Sequence, residues 1–295
     1  MAIGDVRQAM NKTSKSMLLV VLILGLAAGV YWLEKPAAPP VAAVPAVIRP
    51  DNGKLAEQAL AVYRSSQNML AGSKPGQWRL EAQASNSPGP FVGAFGPLQL
   101  AQDSQGRQLL LTTFVADTAD SAGESMDSFA ASGITRLLMF VLQDGQYVLQ
   151  AEQQLEMGSN GMAAAARVVQ LGPQEWGWIM QGSFTQQGYS ASTVEFFHLA
   201  SSQILSMGRL TERADNKGVC GDIQGDACPA VTDLQVHWQW LKPGGQASPG
   251  GPRFYPLDVQ WQGLIDGRKV SQHSQLLPDA SSGIYPFPAS LNVQF

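Results

Sequence analysis

The chain has 295 residues, of which 45% are hydrophobic and only 14% are charged, and its formal net charge is -4 at pH 7. That length is enough for a large domain with a core of its own. A mildly acidic chain without a run of lysine or arginine does not offer the basic patch that phosphate binding needs, so nucleic acid is excluded as an expected partner.

The first distinctive stretch is residues 17–33, MLLVVLILGLAAGVYWL, which contains no charge. Seventeen helical residues extend about 25 Å, the short end of what crosses a bilayer core of about 30 Å. Tyr31 and Trp32 end the run, where amphipathic rings suit the lipid headgroups. The sequence therefore predicts a transmembrane helix acting as a signal anchor. The alternative is a signal peptide cleaved near the small residues 27–29.

The polar tail before this run, residues 1–16, carries Arg7, Lys12 and Lys15 against a single acid, Asp5. An excess of positive charge on a short tail predicts a cytoplasmic N-terminus. We therefore expect a protein of the bacterial inner membrane, with its C-terminal domain in the periplasm.

Two glycines within the apolar run, Gly25 and Gly29, form a G-x-x-x-G pattern. Glycines four residues apart share one helix face and allow two backbones to approach closely. A homodimer through the transmembrane helix is therefore one hypothesis. The other is that small residues are simply common in such helices.

Residues 34–51 follow the apolar run and are rich in proline: Pro36, Pro39, Pro40, Pro45 and Pro50. Proline-rich segments adopt an extended helix that rises about 3.1 Å per residue, which gives roughly 50 Å here. We expect a semi-rigid spacer that holds the folded domain away from the bilayer.

A short amphipathic pattern occupies residues 52–71, with Asn52 as a candidate N-cap and with Gly72 and Pro75 as stop signals. The apolar stripe of this predicted helix is Leu55, Ala59, Val62 and Met69. The helix either packs on the domain that follows or forms a short coiled coil that continues a membrane dimer.

From residue 76 to the end, the hydrophobic period changes from 3.6 to 2, which predicts strands. Hairpin signals occur at residues 103–106, at Asp144-Gly145 and at Asp266-Gly267, since D-G dipeptides favour tight turns. The predicted strands are 91–102, 107–116, 134–143, 146–156, 162–171, 176–182, 192–199, 203–211 and 268–277.

The last third repeats one pattern, LQVHWQW at 234–240 and LDVQWQG at 257–263. We expect these two segments to pair as antiparallel strands, and the final residues, PFPASLNVQF, to supply an edge strand. Many short strands joined by hairpins predict an all-β fold, a large antiparallel sandwich, barrel or partial propeller. Alternating patterns argue against a parallel α/β sheet.

Cys220 and Cys228 bracket a seven-residue loop in the part expected to be periplasmic, where disulfides persist. We predict a disulfide between them. Asp215, Asp222 and Asp226 lie in or near this loop and are weak candidates for a calcium site, because their spacing does not match a known calcium loop. No other metal site and no cofactor is predicted.

Catalytic signals are weak. GYSAS at residues 188–192 lacks the final glycine of a nucleophile elbow. The histidines at 198, 237 and 273 are isolated and are expected to be structural or surface residues. Glutamates 152, 156 and 195 could supply a carboxylate pair only if the fold brings two together. No catalytic residue is predicted.

Five tryptophans form a candidate binding face: Trp176, Trp178, Trp238, Trp240 and Trp261. Residues two apart in a strand share a face, so the first two should lie together, and so should Trp238 and Trp240. They either fill the core of the β domain or form an exposed aromatic platform for a glycan or a partner.

The expected function is a membrane-anchored β domain that acts as a structural or interaction subunit of a cell-envelope complex, with the membrane and other envelope proteins as partners. A glycan- or small-ligand-binding module that uses the paired tryptophans is the first alternative, and an unrecognised hydrolase is the second.

Overall fold

The computed structural model describes residues 52–82, 84, 89–126, 131–220, 230–242 and 252–293. Over these residues the chain forms two antiparallel β-sheets that stack face to face, with few helices. The all-β prediction is confirmed, and of the three architectures considered the sandwich is the observed one.

The first sheet, sheet 1, has seven strands in the order β1-β2-β3-β5-β6-β7, and β4 pairs with the other half of β5. Its strands are β1 (Leu70–Ala71), β2 (Gln77–Leu80), β3 (Phe91–Phe95), β4 (Gln99–Gln102), β5 (Gln108–Thr118), β6 (Ile134–Gln143) and β7 (Gln146–Leu155).

The second sheet, sheet 2, also has seven strands and runs in reverse chain order, β14-β13-β12-β11-β10-β9-β8. Its strands are β8 (Ala165–Gln170), β9 (Trp176–Gln186), β10 (Tyr189–Ala200), β11 (Gln203–Asp215), β12 (Asp233–Trp240), β13 (Leu257–Ile265) and β14 (Arg268–Leu276). The short helix α2 (Lys217–Cys220) follows β11.

Sheet 1 is buried on both faces. On one face it packs against helix α1 (Asn52–Ser66), where Leu60 and Tyr63 meet Phe114 and Phe140 of the sheet. On the other face it packs against sheet 2 through a second apolar cluster. The double burial explains why β6 has eight consecutive buried residues.

Sheet 2 packs on sheet 1 with one face and carries the third apolar cluster on the other. That far cluster is covered by Phe254 and by residues 279–293, which we call the C-terminal strap. Strap residues Tyr285 and Leu291 are buried in the cluster, and a one-turn 3₁₀ helix occupies Ala289–Leu291. The predicted edge strand at the C-terminus is therefore wrong for residues 286–293. Pro286 and Pro288 cannot donate a ladder hydrogen bond.

Both D-G hairpins are confirmed. Asp144 and Gly145 have φ of 49° and 80°, and Asp266 and Gly267 have φ of 50° and 73°. Two positive φ values in a two-residue loop are the signature of a type I′ turn, which matches the twist of antiparallel strands. The predicted pairing of the repeated segments is also confirmed, since β12 and β13 pair along their length.

Helix α1 ends five residues before the predicted boundary. Asn68 adopts a φ of 52°, and the Met69 amide donates to the carbonyl of Arg64 at 2.9 Å, which closes the helix with a left-handed cap. Residues 70–71 then form strand β1. The predicted apolar stripe is also partly wrong, because Val62 is 70% exposed.

Several predictions fall outside the described residues, namely the apolar run 17–33 with Gly25 and Gly29, the spacer 34–51, and Cys228 with its disulfide. None of the helices in the described ranges has the length and apolar content that a bilayer span requires.

Candidate binding surface

The predicted tryptophans lie on two opposite faces of sheet 2. Trp176 and Trp178 point toward sheet 1, and Trp178 is completely buried. The indole Nε1 of Trp178 donates to the carbonyl oxygen of Thr112 in β5 at 3.0 Å. This pair therefore belongs to the interface between the two sheets.

Trp238, Trp240 and Trp261 lie on the far side of sheet 2, beneath the C-terminal strap. The rings of Trp238 and Trp240 contact each other edge to face, with centroids 5.4 Å apart. The indole of Trp238 donates to Glu212 at 2.8 Å, and Trp261 is buried. Trp238 and Trp240 are half-buried and are the only members of this trio that reach the surface. The five tryptophans therefore form no single platform.

A polar surface lies on β12–β14, on the side away from Trp238 and Trp240. We call it the polar face. Cross-strand pairing arranges its side chains in three rows of three: Gln235, Gln262 and Ser271; His237, Gln260 and His273; and Gln239, Asp258 and Gln275. All of these residues except Asp258 are exposed. Amide, imidazole and hydroxyl groups both donate and accept hydrogen bonds, so the face can bind a polar surface.

One short histidine–carboxylate contact is built into the polar face. His273 Nε2 lies 2.6 Å from Asp258 Oδ1, and Gln239 donates to the other carboxylate oxygen at 3.4 Å. The contact with His273 is the main cause that holds the pKa of Asp258 below its ordinary value. Asp258 therefore places a negative charge in the middle of the third row, between Gln239 and Gln275.

Strand β14 forms one margin of sheet 2 and pairs only with β13 among the described strands. It is nine residues long and begins with two exposed bases, Arg268 and Lys269. Charged residues at an exposed edge discourage indiscriminate strand pairing. The polar face therefore ends at an unpaired strand edge whose charged residues discourage unspecific strand pairing.

A second polar cluster lies between helix α1 and sheet 1. The Arg136 guanidinium donates to Gln67, to Gln154 and to the hydroxyl of Tyr63, and it lies 3.1 Å from Glu152. The Tyr63 hydroxyl donates to Glu152 at 2.7 Å. Burial raises the pKa of Tyr63, although Arg136 opposes the shift. This cluster is satisfied internally and fastens the helix to β6 and β7.

The other candidate acids are scattered. Glu152 belongs to the Arg136 cluster, whereas Glu195 on sheet 2 pairs with Arg209 at 2.6 Å. Asp215 lies 3.6 Å from Arg213, while the other two loop aspartates, 222 and 226, lie outside the described residues. Within the described ranges no three potential ligands come together to hold a metal ion.

A cavity of about 380 Å³ lies where β11 and β12 meet the C-terminal strap, and Tyr189, Asn216 and Ser290 are among the residues that line it. The Asn216 side chain is already engaged, since it donates to the Ala230 carbonyl and accepts from the Thr232 amide. The Asn216 side chain is therefore not free to bind a ligand in this cavity.

No protein-family model matches this chain, and comparison with curated proteins and with solved structures returns no match.

Sequence reasoning missed the polar face, although its signal was present. Polar residues alternate with apolar ones through β12 and β13, and β14 is polar on both sides between Val270 and Leu276. The alternation predicts that each strand has a polar side, but only the register aligns the three sides in one plane.

Proposed function

We propose that this protein is an interaction subunit of a cell-envelope complex, in which a membrane-anchored β-sandwich binds a partner protein through the polar face. The observation that carries the proposal is the alignment of hydrogen-bonding side chains in three cross-strand rows, exposed beside an open strand margin. The charge-free run at residues 17–33 and the proline-rich spacer support the anchoring part of the proposal.

The chemistry of the face favours a protein partner with a polar or mixed surface. Interfaces of this kind combine direct hydrogen bonds with bridging water and are not distinguished by bulk hydrophobicity. Gln260 occupies the centre of the middle row, between His237 and His273. A bulky charge at this position would disturb both rows beside it without touching the core.

The test is co-purification from detergent-solubilised membranes with tagged full-length chain. Gln260→Lys should reduce recovery of the partner by about tenfold or more, because a central interface residue contributes on the order of 1.4 kcal/mol or more. Gln150→Lys is the matched control, since Gln150 is an exposed glutamine on β7 of the other sheet. Equal recovery with both variants would exclude the polar face as the interface.

A glycan- or small-ligand-binding module is the second candidate function. It is favoured by the half-buried pair Trp238 and Trp240, whose rings contact each other at the surface end of the far cluster. Aromatic rings with one face accessible suit the apolar faces of sugars. Titration with soluble cell-wall fragments should quench tryptophan fluorescence in the wild type and less in Trp240→Phe. Unchanged fluorescence in the wild type would remove this candidate.

A further inference from the structure

His198 on β10 is a buried histidine without hydrogen bonds. The residue is 1% exposed, and neither ring nitrogen has a hydrogen-bond partner. A neutral imidazole carries one donor and one acceptor, so both are left unsatisfied here. An apolar side chain of similar size would avoid this cost, which makes the histidine conspicuous.

The C-terminal strap and the segment before it cover this ring. Phe254 contacts His198 edge to face with centroids 5.3 Å apart. Gly283 of the strap adopts a φ of 75°, and a Cβ placed there would lie 3.4 Å from the Cε1 of His198. The strap therefore closes directly over the imidazole and leaves it no path to water.

The strap is held by a small number of hydrogen bonds. The amide of Tyr285 donates to the Met207 carbonyl at 2.8 Å, and the Tyr285 hydroxyl donates to the Tyr255 carbonyl at 2.7 Å. Asp279 accepts from Ser281 and Ser282 and shapes the turn that precedes them. A segment with few hydrogen bonds to its neighbours can open locally without unfolding the sandwich, although opening exposes its buried side chains.

The surroundings of His198 disfavour a positive charge. Burial lowers the pKa of His198, and the nearby Arg253 lowers it further. Backbone groups of Leu199 and Ser282 lie near the ring and partly oppose the shift, but neither meets the geometry of a hydrogen bond to it. Arg253 is itself paired with Glu175 at 2.7 Å, and Asp279 is the acid on the strap. The hydrogen bonds from Ser281 and Ser282 hold the pKa of Asp279 far below its ordinary value.

We propose that His198 makes the C-terminal strap sensitive to acid. While the strap is closed, the imidazole is neutral and excluded from water, and when the strap opens, the ring can take up a proton and be solvated. Acid therefore shifts the equilibrium toward the open strap. This inference concerns the strap alone and does not depend on the proposed partner.

Opening would uncover aromatic surface. Phe287 of the strap stacks on Phe196 with centroids 6.0 Å apart and an interplanar angle of 22°, and Phe196 in turn contacts Trp238 and Trp240. When the strap lifts, this cluster loses its cover. Exposed aromatic clusters of this kind are typical of binding surfaces.

The direction of the pH effect follows from the two states. Above a pH of about 6.5, the ordinary value for histidine, neither state binds the proton and the strap equilibrium does not respond. Below it only the open state binds the proton, so the closed state loses population by up to about tenfold per pH unit. The closed population stops falling only when the pH reaches the lowered pKa of His198 in the closed state.

The test is hydrogen exchange at the Tyr285 amide in the full-length chain at pH 7.5 and 5.5, with each rate divided by the intrinsic rate at that pH. We expect protection to fall by about tenfold at pH 5.5. Equal protection at the two pH values in the wild type would overturn the proposal, whatever the variants do.

The variant His198→Phe keeps an aromatic ring and removes the titration, so protection of Tyr285 should no longer depend on pH. His237→Phe, an exposed histidine of the polar face, is the matched control and should keep the tenfold response. If His198→Phe does not fold, His198→Met provides the same comparison. If the pH dependence of Tyr285 protection persists without His198, another titrating group causes it, and the proposal is overturned.

Discussion

Arg136 and His198 are two buried polar residues in opposite situations. The guanidinium of Arg136 is bonded to side chains from helix α1 and from β7. The imidazole of His198 has no such bonds. A buried charge with all its hydrogen bonds made locks two elements together. A buried titratable ring without hydrogen bonds instead makes the closure of the segment above it depend on pH.

We predict that Arg136→Ala lowers the free energy of unfolding by about 3 kcal/mol, because it leaves Glu152 partly buried without its counter-ion. The matched control is Arg79→Ala. Arg79 pairs with Glu81, which is 63% exposed, and such surface pairs contribute roughly 0–1 kcal/mol. Denaturant unfolding of both variants measures the difference. Equal losses would mean that the Arg136 cluster does not fasten the helix.

Acid affects His198 and Asp258 in different pH ranges. The contact with His273 is the main cause of the low pKa of Asp258. The resulting gain in folding stability is fully present at a pH above the ordinary aspartate value of about 3.9, and it is lost only as the pH falls further. The penalty at His198 begins near the ordinary histidine value of about 6.5. A comparison between pH 7.5 and 5.5 therefore leaves the charge of Asp258 unchanged.

The tryptophans show what the residue pattern could and could not reveal. Spacing by two correctly placed Trp176 with Trp178, and Trp238 with Trp240, on shared faces. It could not reveal that the two pairs face opposite ways. That outcome depends on which side of sheet 2 meets sheet 1, and alternation is identical for both sides.

At the level of elements, turns with strong local chemistry were predictable and the others were not. Asp144-Gly145 and Asp266-Gly267 are favoured dipeptides for positive φ. Gln187 and Ser201 also adopt positive φ, at 51° and 59°, in hairpins that were not predicted from the sequence. Glutamine and serine have no intrinsic preference for this conformation, so the strand pairing imposes it.

Helix α1 was predicted to exist, but its buried face was assigned incorrectly. The helix buries Ala56, Leu60 and Tyr63 against sheet 1 and leaves Val62 in solvent. The short pattern fits two stripes almost equally, since Ala56, Leu60 and Tyr63 recur at helical spacing just as Leu55, Ala59 and Val62 do. Tertiary contacts, above all the bonds of Tyr63 to Arg136 and Glu152, decide the orientation.

Two matched truncations test this orientation. Leu60→Ala should lower the free energy of unfolding by about 3 kcal/mol, because Leu60 is 4% exposed and its removal leaves a cavity. Val62→Ala should change it by no more than about 0.5 kcal/mol, since this side chain is in water. Denaturant unfolding of the two variants gives the answer. A larger cost at Val62 would reverse the assigned face.

At the scale of the whole molecule, sheet 1 is enclosed between helix α1 and sheet 2, whereas the β12–β14 end of sheet 2 leaves its polar side in solvent. The polar face therefore lies at one end of the sandwich. In the proposed complex, the polar face can contact its partner only if the domain is held at a suitable distance from the membrane. The proposed function therefore depends on the spacer that the sequence predicts.

The last prediction concerns that spacer, residues 36–50. A proline-rich segment of this length spans roughly 50 Å, whereas a Gly/Ser chain of equal length has a root-mean-square span of roughly 20–25 Å. Replacement by Gly/Ser should leave the unfolding free energy of the sandwich unchanged and should lower partner recovery from membranes. The reason is that the polar face would no longer be held at the height of its partner.

A scrambled order of the same fifteen residues is the matched control, because it keeps the proline content and hence the stiffness. Partner recovery should stay at the wild-type level with the scrambled spacer and fall only with Gly/Ser. Full recovery with the Gly/Ser spacer would mean that reach is not what the proline-rich segment provides, and the segment would then be a tether. Loss with both spacers would instead point to a specific sequence in the segment that the partner recognises directly.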